Sequence, residues 1–424
     1  MPERRLTVRG SSTETVLDHA FAARAFTATD AMHATGLTRS TVLAACDELV
    51  RLGWIRELRD ARAVGQYRIG RPAKRYGLDE RAGVVVGVDA GQHRVTAFVT
   101  DLRGRVLARA EGAPGQADLD LTVRRTTVSD TIARALSSAG VAHERVLVTT
   151  IGVPAPVAAD GSSLPGDGGY WAAMNPGFDG VTGHGRVVVE NDANLAAVAE
   201  RDLRGDASFA ALLAGERFGT GLVVDGRLLR GSHGGAGEMR VLSMVEGVGS
   251  ADGLGREAAA LVRAAGREGR IAPGTALAAA VRAGQTDAAA VFAAARDADP
   301  VALDIVERLG DRLARVCVVL ASLLDIDRVV VAGAIAEPAV AVIEHARTLL
   351  HGWSLDPLPE IVASTLGADV VVHGAIALAL DVVQDHPLSL QLPTDAAPAG
   401  PVTADAVRTA DATTDDAVVA PAPV

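Results

Sequence analysis

Cysteine is almost missing from this chain. Cys46 and Cys317 are the only two among 424 residues, and each falls in an apolar helical pattern. Two thiols so far apart exclude a disulfide framework and cannot build a cysteine-rich zinc site. Packing inside a core is the role that remains for them. Lysine is rarer still: Lys74 stands alone, and arginine supplies nearly all the positive charge. No apolar run of about 20 residues is present to span a bilayer, and no N-terminal stretch has signal-peptide character. These absences predict a cytoplasmic protein without a membrane partner. Hydrophobic residues make up 49% of the chain, enough for two or three buried cores.

The net charge of −11 argues at first against nucleic acid, but its distribution does not. Residues 1–81 hold 14 Arg plus Lys against 10 Asp plus Glu, so this segment carries +4 and the remainder −15. A basic head on an acidic body suits a DNA-binding module joined to something else. The pattern divides the chain into a head (1–80), an α/β body (82–385) and an Ala-, Pro-, Thr- and Asp-rich tail (386–424) expected to be disordered.

In the head, Val16, Leu17, Ala20 and Phe21 recur at helical spacing. A short second helix is expected from about Thr29 to Ala34, capped by Thr29 or Asp30, with Gly36 supplying the turn. Thr38 is read as the cap of a third helix that buries Val42, Cys46, Leu49 and Val50 and ends at Gly53. This is the layout of a helix-turn-helix, in which the first residues of the last helix face the major groove. Thr38, Arg39, Ser40 and Thr41 are therefore the expected DNA-contacting residues. Asp47 and Glu48 would repel phosphate, so only the first half of the helix should lie deep in the groove. Residues 54–79 read as an extended wing. Its basic tip, Gly70-Arg71-Pro72-Ala73-Lys74-Arg75, would place Arg71 and Lys74 against DNA, with the Gly-Arg-Pro element suited to an A·T-rich minor groove.

The body opens on Val84 to Gly91, an apolar strand ending in Asp-Gly, followed by two strands around Arg103-Gly104. GVPAPVAADG from Gly152, VENDANLAAVAE from Val189, DGRLLRGSHGGAGEM from Asp225 and VVVAGAIAE from Val329 follow in order. With the winged head, this series resembles the ROK family of repressors, open reading frames and sugar kinases, over about residues 12–385. The resemblance implies an actin-like, two-lobed sugar-kinase fold. It implies that Asp192 stands at the position of the general base toward the sugar hydroxyl, and that Asn191, Glu238 and Asn175 stand at sugar-contacting positions. Asn191 or Asp192 would also serve as a helix cap.

The nucleotide side departs from the family pattern. Asp-x-Gly-Gly-Thr-Lys is replaced by Asp89-Ala90-Gly91-Gln92-His93-Arg94, which puts bulk where amides and a hydroxyl would cradle phosphate. The second phosphate loop aligns with Gly215-Glu216-Arg217-Phe218-Gly219, where Glu216 would repel a triphosphate. The Gly-His and the cysteine loop expected after Gly237-Glu238 are missing, so no metal is expected, and no cofactor. The reading that results is a dimeric, or dimer-of-dimers, transcription regulator, most simply a repressor. Its partners would be a double-stranded DNA operator and a sugar or sugar-derivative effector, and Asp192 would be a vestigial general base. The alternatives are an ATP-dependent sugar kinase with an appended DNA-binding head, and a body that serves only for dimerisation or protein binding.

Overall fold

The computed structural model describes residues 11–58, 73–117, 119–204, 208–353 and 357–393. The packed unit runs to Leu392. Helix α1 (Ser12–Ala22) starts at a reciprocal cap in which Ser11 and Glu14 satisfy one another's backbone N–H groups. A two-residue strand, β1 (Phe26–Thr27), leads into α2 (Ala28–Thr35). Thr27, and not the expected Thr29 or Asp30, caps α2. Its hydroxyl accepts the Asp30 N–H while the Asp30 carboxylate accepts the Thr27 N–H at 2.8 Å. Gly36 closes α2 in the left-handed region. Helix α3 (Arg39–Arg51) is capped by Thr38, and buries Val42, Ala45, Cys46 and Leu49. Val50, expected inside, is 41% exposed. It follows Leu49 by one residue, a 100° step off the buried stripe.

Strands β2 (Ile55–Leu58) and β3 (Arg75–Leu78) pair antiparallel, and β1 adds to the far side of β3. Phe26, Trp54 and Tyr76 close this small core. The body then builds its first sheet. Strands β4 (Val84–Ala90), β5 (Val95–Thr100) and β6 (Val106–Gly112) meander antiparallel. Helix α4 (Leu121–Ala139) crosses over to β7 (Val146–Val153), parallel to β4. A five-residue helix, α5 (Tyr170–Met174), precedes β8 (Arg186–Asn191), which completes the order β6-β5-β4-β7-β8.

Helix α6 (Asp192–Arg204) carries the chain to the second lobe. There β9 (Phe209–Leu213), β10 (Gly219–Val224) and β11 (Arg227–Leu229) again meander antiparallel. Helices α7 (Leu254–Arg267), α8 (Ala276–Arg282), α9 (Ala288–Arg296) and α10 (Pro300–Leu324) follow. Then come β12 (Arg328–Ala332), α11 (Val340–His351), β13 (Glu360–Ala363) and α12 (Val370–Asp385). The order β11-β10-β9-β12-β13 repeats that of the first sheet, with β12 and β13 running parallel to β9. The two lobes are thus the same topology used twice, although the sequence holds no visible repeat.

Helices α6 and α12 lie between the sheets. Leu195, Ala196 and Ala199 share a core with Phe209, Val223, Val330, Val371 and Ala375. A Cβ on Gly374 would collide with the Leu195 carbonyl, so only glycine lets the two helices cross this closely. Packing against both neighbours buries Val370, Val371, Val372, Ala375, Ile376, Ala379 and Val383 of α12. The stretch Gly367–Asp385, with mean hydropathy 1.4, is long and apolar enough to cross a membrane, but here it is a core element.

The head is not a separate core. Val16, Leu17, Leu49 and Trp54 share one cluster with Val85, Phe98, Leu102, Val372, Ile376 and Val383. Leu390 and Leu392 pack on that cluster, so the tail expected from residue 386 begins later than the composition suggests. From residue 394 it lies outside the described residues. A polar joint reinforces the apolar one. Arg103, in the β5–β6 turn, donates to the carbonyls of Ala20 (3.1 Å), Ala23 (2.6 Å) and Phe21, which end α1. These are carbonyls that a helix C-terminus leaves without internal partners.

Candidate functional site

Two regions carry the candidate residues. In the head, Thr38, Arg39 and Ser40 are exposed and Thr41 is half-buried. The Thr38 hydroxyl accepts the Thr41 N–H at 3.3 Å and lies 3.1 and 2.8 Å from the hydroxyls of Ser40 and Thr41. Thr38 is therefore engaged as the cap, and the two other hydroxyls lean on it. Arg39 projects from the first turn of α3 with no ion pair or hydrogen bond from its side chain among the described residues. Further along, Glu48 is held by Arg51 through two bonds of 2.9 and 2.6 Å, away from the first turn. Lys74 differs from expectation: its ammonium bonds Glu57 on the neighbouring strand at 2.9 Å. The pairing of β2 with β3 brings these residues together, so part of the lysine's charge is answered inside the protein. Arg71 lies outside the described residues.

In the body, the β8–α6 junction brings Asp192 near Asp89 of the first lobe and Glu238 of the second. Asn191 acts as a cap: its side-chain oxygen accepts the Asn194 N–H at 3.1 Å, and its amide donates to the Ala155 carbonyl at 3.0 Å. Each end of that amide thus makes one bond within the fold. Glu190 is buried beneath it. One of its oxygens accepts from the Asn191 N–H and the Asn194 amide, and the other from Arg230 at 2.8 Å. Asp192 accepts the Ala193 N–H at 2.7 Å. Burial, followed by the charges of Asp89 and Glu238, pushes its carboxyl up to about 8. Asp89, at the end of β4, is pushed up to about 6 by burial, and Arg94 and Arg124 hold it from rising further.

Glu238 reaches this group because of its neighbour. Gly237 has φ +84°, and a Cβ there would strike the Thr220 carbonyl on β10. The Gly231 to Glu238 loop packs on both lobes: a Cβ on Gly234 would strike the Val157 carbonyl of the first, and Glu238 bridges to Gly219 of the second. Asn175 ends α5 and is nearly buried. Its amide nitrogen donates to Gly161 and Ser163, both at 2.9 Å. Its side-chain oxygen is buried without a partner among the described residues. Among the same residues no group of His, Cys, Asp or Glu is placed to hold a metal ion.

Two further residues shape this cleft. Arg124 is wholly buried and donates to the carbonyls of Met174 (2.9 Å), Gly91 (3.1 Å) and Ala90. It ties the turn after β4 to the end of α5. Its signal in the sequence is its spacing with Val128, Ile132 and Ala135 on the buried stripe of α4. Tyr170 donates to Gln92 at 3.2 Å, and its hydroxyl is pushed up to about 12 by burial and the charge of Asp192. In the second lobe, the turn 214–218 joins β9 to β10. Its carbonyls at Ala214, Gly215 and Glu216 accept the N–H groups of Leu254, Gly255 and Gly253. Glu216 itself is exposed and faces Arg256 at 3.5 Å. A separate groove of about 490 Å³, lined by Leu261, Glu268, Pro300 and Asp304 among others, lies on the outside of α7 and α10 and holds none of these residues.

Comparison with known proteins agrees with this architecture. The ROK family profile matches residues 85–382. The glucokinase of Streptomyces coelicolor is 28% identical over 318 residues, covering 70% of this chain and 98% of its own. A ROK family transcriptional regulator, a homologue of the E. coli MLC protein, shares the fold at 19% identity with a TM-score of 0.63, covering 89% of this chain and 98% of its own. The ROK family glucokinase from Streptomyces griseus, solved with glucose and AMPPNP, is similar at 24% identity and a TM-score of 0.55, over 70% of this chain and 100% of its own. The body has the actin-like sugar-kinase fold, and the chain belongs to the ROK family.

Proposed function

We propose that this protein is a DNA-binding transcription regulator, a repressor in its simplest form, whose head is a winged helix-turn-helix and whose body senses a sugar without phosphorylating it. The observation that carries the reading is Arg39: an exposed arginine without a side-chain partner among the described residues, in the first turn of a capped helix that follows a tight glycine turn. That is where a helix-turn-helix places its base-reading side chains. The strands β2 and β3 would be the stem of the wing. The likeness to the MLC homologue, at 89% of the chain, is too long to leave the head out, and supports the same reading. The division into head (1–80) and body (82–385) is proposed as functional, since the two share one core.

Footprinting of the purified protein on DNA from its own genome tests this. Protection of an inverted repeat is expected, because dimeric regulators of this kind read two half-sites. Protection of no such site would end the proposal. Arg39→Ala should weaken operator binding by about 1–3 kcal/mol and relax the preference at one base pair of each half-site, as competition binding with single-base variants would reveal. Lys74→Ala should cost less and leave sequence preference unchanged, because Glu57 already neutralises part of its charge.

A kinase is the second reading, favoured by Asp192 at the head of α6 and by 28% identity to a glucokinase. Against it stand Gln92 and His93 in one turn and Glu216 in the other. Phosphoryl transfer depends mainly on positioning the triphosphate and neutralising its charge. A coupled assay with Mg-ATP over hexoses and N-acetylated hexosamines should read no turnover. Turnover that disappears in Asp192→Asn would establish the kinase instead.

A further inference from the structure

The contacts of α5 cross the cleft. Tyr170 and Trp171 belong to the first lobe, between β7 and β8. The Tyr170 hydroxyl donates to Gln92 in the same lobe, in the turn after β4. On its other side, the guanidinium of Arg217 lies 6.0 Å from the Tyr170 ring centre. Arg217 stands in the β9–β10 turn of the second lobe. Next to this contact, Arg240, which follows β11 in the second lobe, lies 5.5 Å from the ring of Trp171. Trp171 is itself seated on the first lobe, where its ring fills the space a Cβ on Gly166 would occupy. The two aromatic faces therefore meet two cations from the opposite lobe, in an arrangement that attracts through the ring quadrupole.

We propose that α5 is a clasp: Tyr170 and Trp171, carried by the first lobe, are gripped by Arg217 and Arg240 of the second and hold the lobes together with no nucleotide between the two turns. This deepens the sensor reading above. A two-lobed protein that binds two ligands can use one of them to bring its turns together, whereas this chain joins the same turns with its own side chains. The clasp makes Tyr170 and Arg217 specificity-determining residues, because they join the turn that holds Gln92 to the turn that holds Glu216. Tyr170 is well suited to the position. Its hydroxyl keeps its proton throughout the neutral range and remains a donor to Gln92.

The two native cysteines are fully buried, so labels can be directed to introduced ones. Spin labels at Ser138→Cys on α4 and Gln285→Cys between α8 and α9, both exposed positions on different lobes, would report the separation of the lobes in the full-length protein. The wild-type background should give a narrow distance distribution. Arg217→Ala with Arg240→Ala, at two exposed positions, should shift it to longer distances and broaden it. Tyr170→Leu, which removes the ring under Arg217 and leaves both arginines in place, should also shift it to longer distances, and it decides the matter alone if the double variant does not fold. Distributions that match the wild type in the folded variants would overturn the clasp. Operator binding by the unlabelled wild-type protein is measured separately: its absence would sink the regulator reading and leave the clasp standing, whereas unchanged distances would sink the clasp alone.

Discussion

Asp192→Asn should make the protein more stable, and the gain should grow as pH rises from about 4 to about 8. The carboxyl of Asp192 is raised from 3.8 to about 8 in the folded protein by burial, then by the charges of Asp89 and Glu238. Between those two values the folded chain holds a proton that the unfolded chain has released. Stability therefore falls as pH rises through this window, and the loss is complete above the folded value. Below 3.8 both states are protonated and this group contributes no difference. Asparagine is neutral at every pH, keeps the shape, and can still accept the Ala193 N–H. The variant should thus match the wild type near pH 4 and exceed it by several kcal/mol at pH 8.5. In a chain of this size that is a rise of several degrees in Tm. Thermal scans at pH 4.5, 6.5 and 8.5 would measure it. A gain that does not vary with pH would mean that the Asp192 carboxylate is not disfavoured by its surroundings.

Arg124→Met should act in the opposite direction, with a loss of about 3–5 kcal/mol. The guanidinium is fully buried and satisfies the carbonyls of Ala90, Gly91 and Met174. Methionine fills much of the volume but leaves these acceptors without their donor, and a buried polar group deprived of its partner carries its full desolvation cost. The turn after β4 would also lose its tie to α5, and with it the anchor of Tyr170. Denaturant unfolding would measure the loss. A change under about 1 kcal/mol would indicate that water reaches the carbonyls and replaces the arginine. The second lobe has a counterpart in Arg312 on α10, which donates to the carbonyls of Val248, Ser250 (2.7 Å) and Asp252 (2.7 Å) behind the β9–β10 turn. Each lobe thus uses one buried arginine to hold the loops behind its own turn.

What could be read along the chain was what neighbours in sequence decide. The three helices of the head, the Gly36 turn and the Thr38 cap follow from hydrogen bonds and steric limits spanning three or four residues. The extended stretch beginning at Val84 follows from its apolar run, and the Asn191-Asp192 junction from the preference of such side chains for a helix start. The same local logic misplaced the cap of α2 by two or three residues, because Thr27, Thr29 and Asp30 are all competent caps. Only the pairing of β1 with β3 leaves Thr27 at the boundary.

The tertiary structure alone decided which charges and acceptors meet. Glu57 answers Lys74 across 17 residues, and Arg103 ends α1 from 80 residues or more away. Tyr170 lies between Gln92 and Arg217. The repeated sheet order was likewise hidden, because a topology requires only apolar strands of suitable length, which many unrelated sequences provide. The sequence by itself determined helices, turns, the Thr38 cap and the presence of a carboxylate at Asp192, since these depend on residue type within a few positions. Whether that carboxylate is charged, whether the head moves with the body, and what fills the cleft depend on burial and on charges brought together from distant segments, which appear only once the chain is folded.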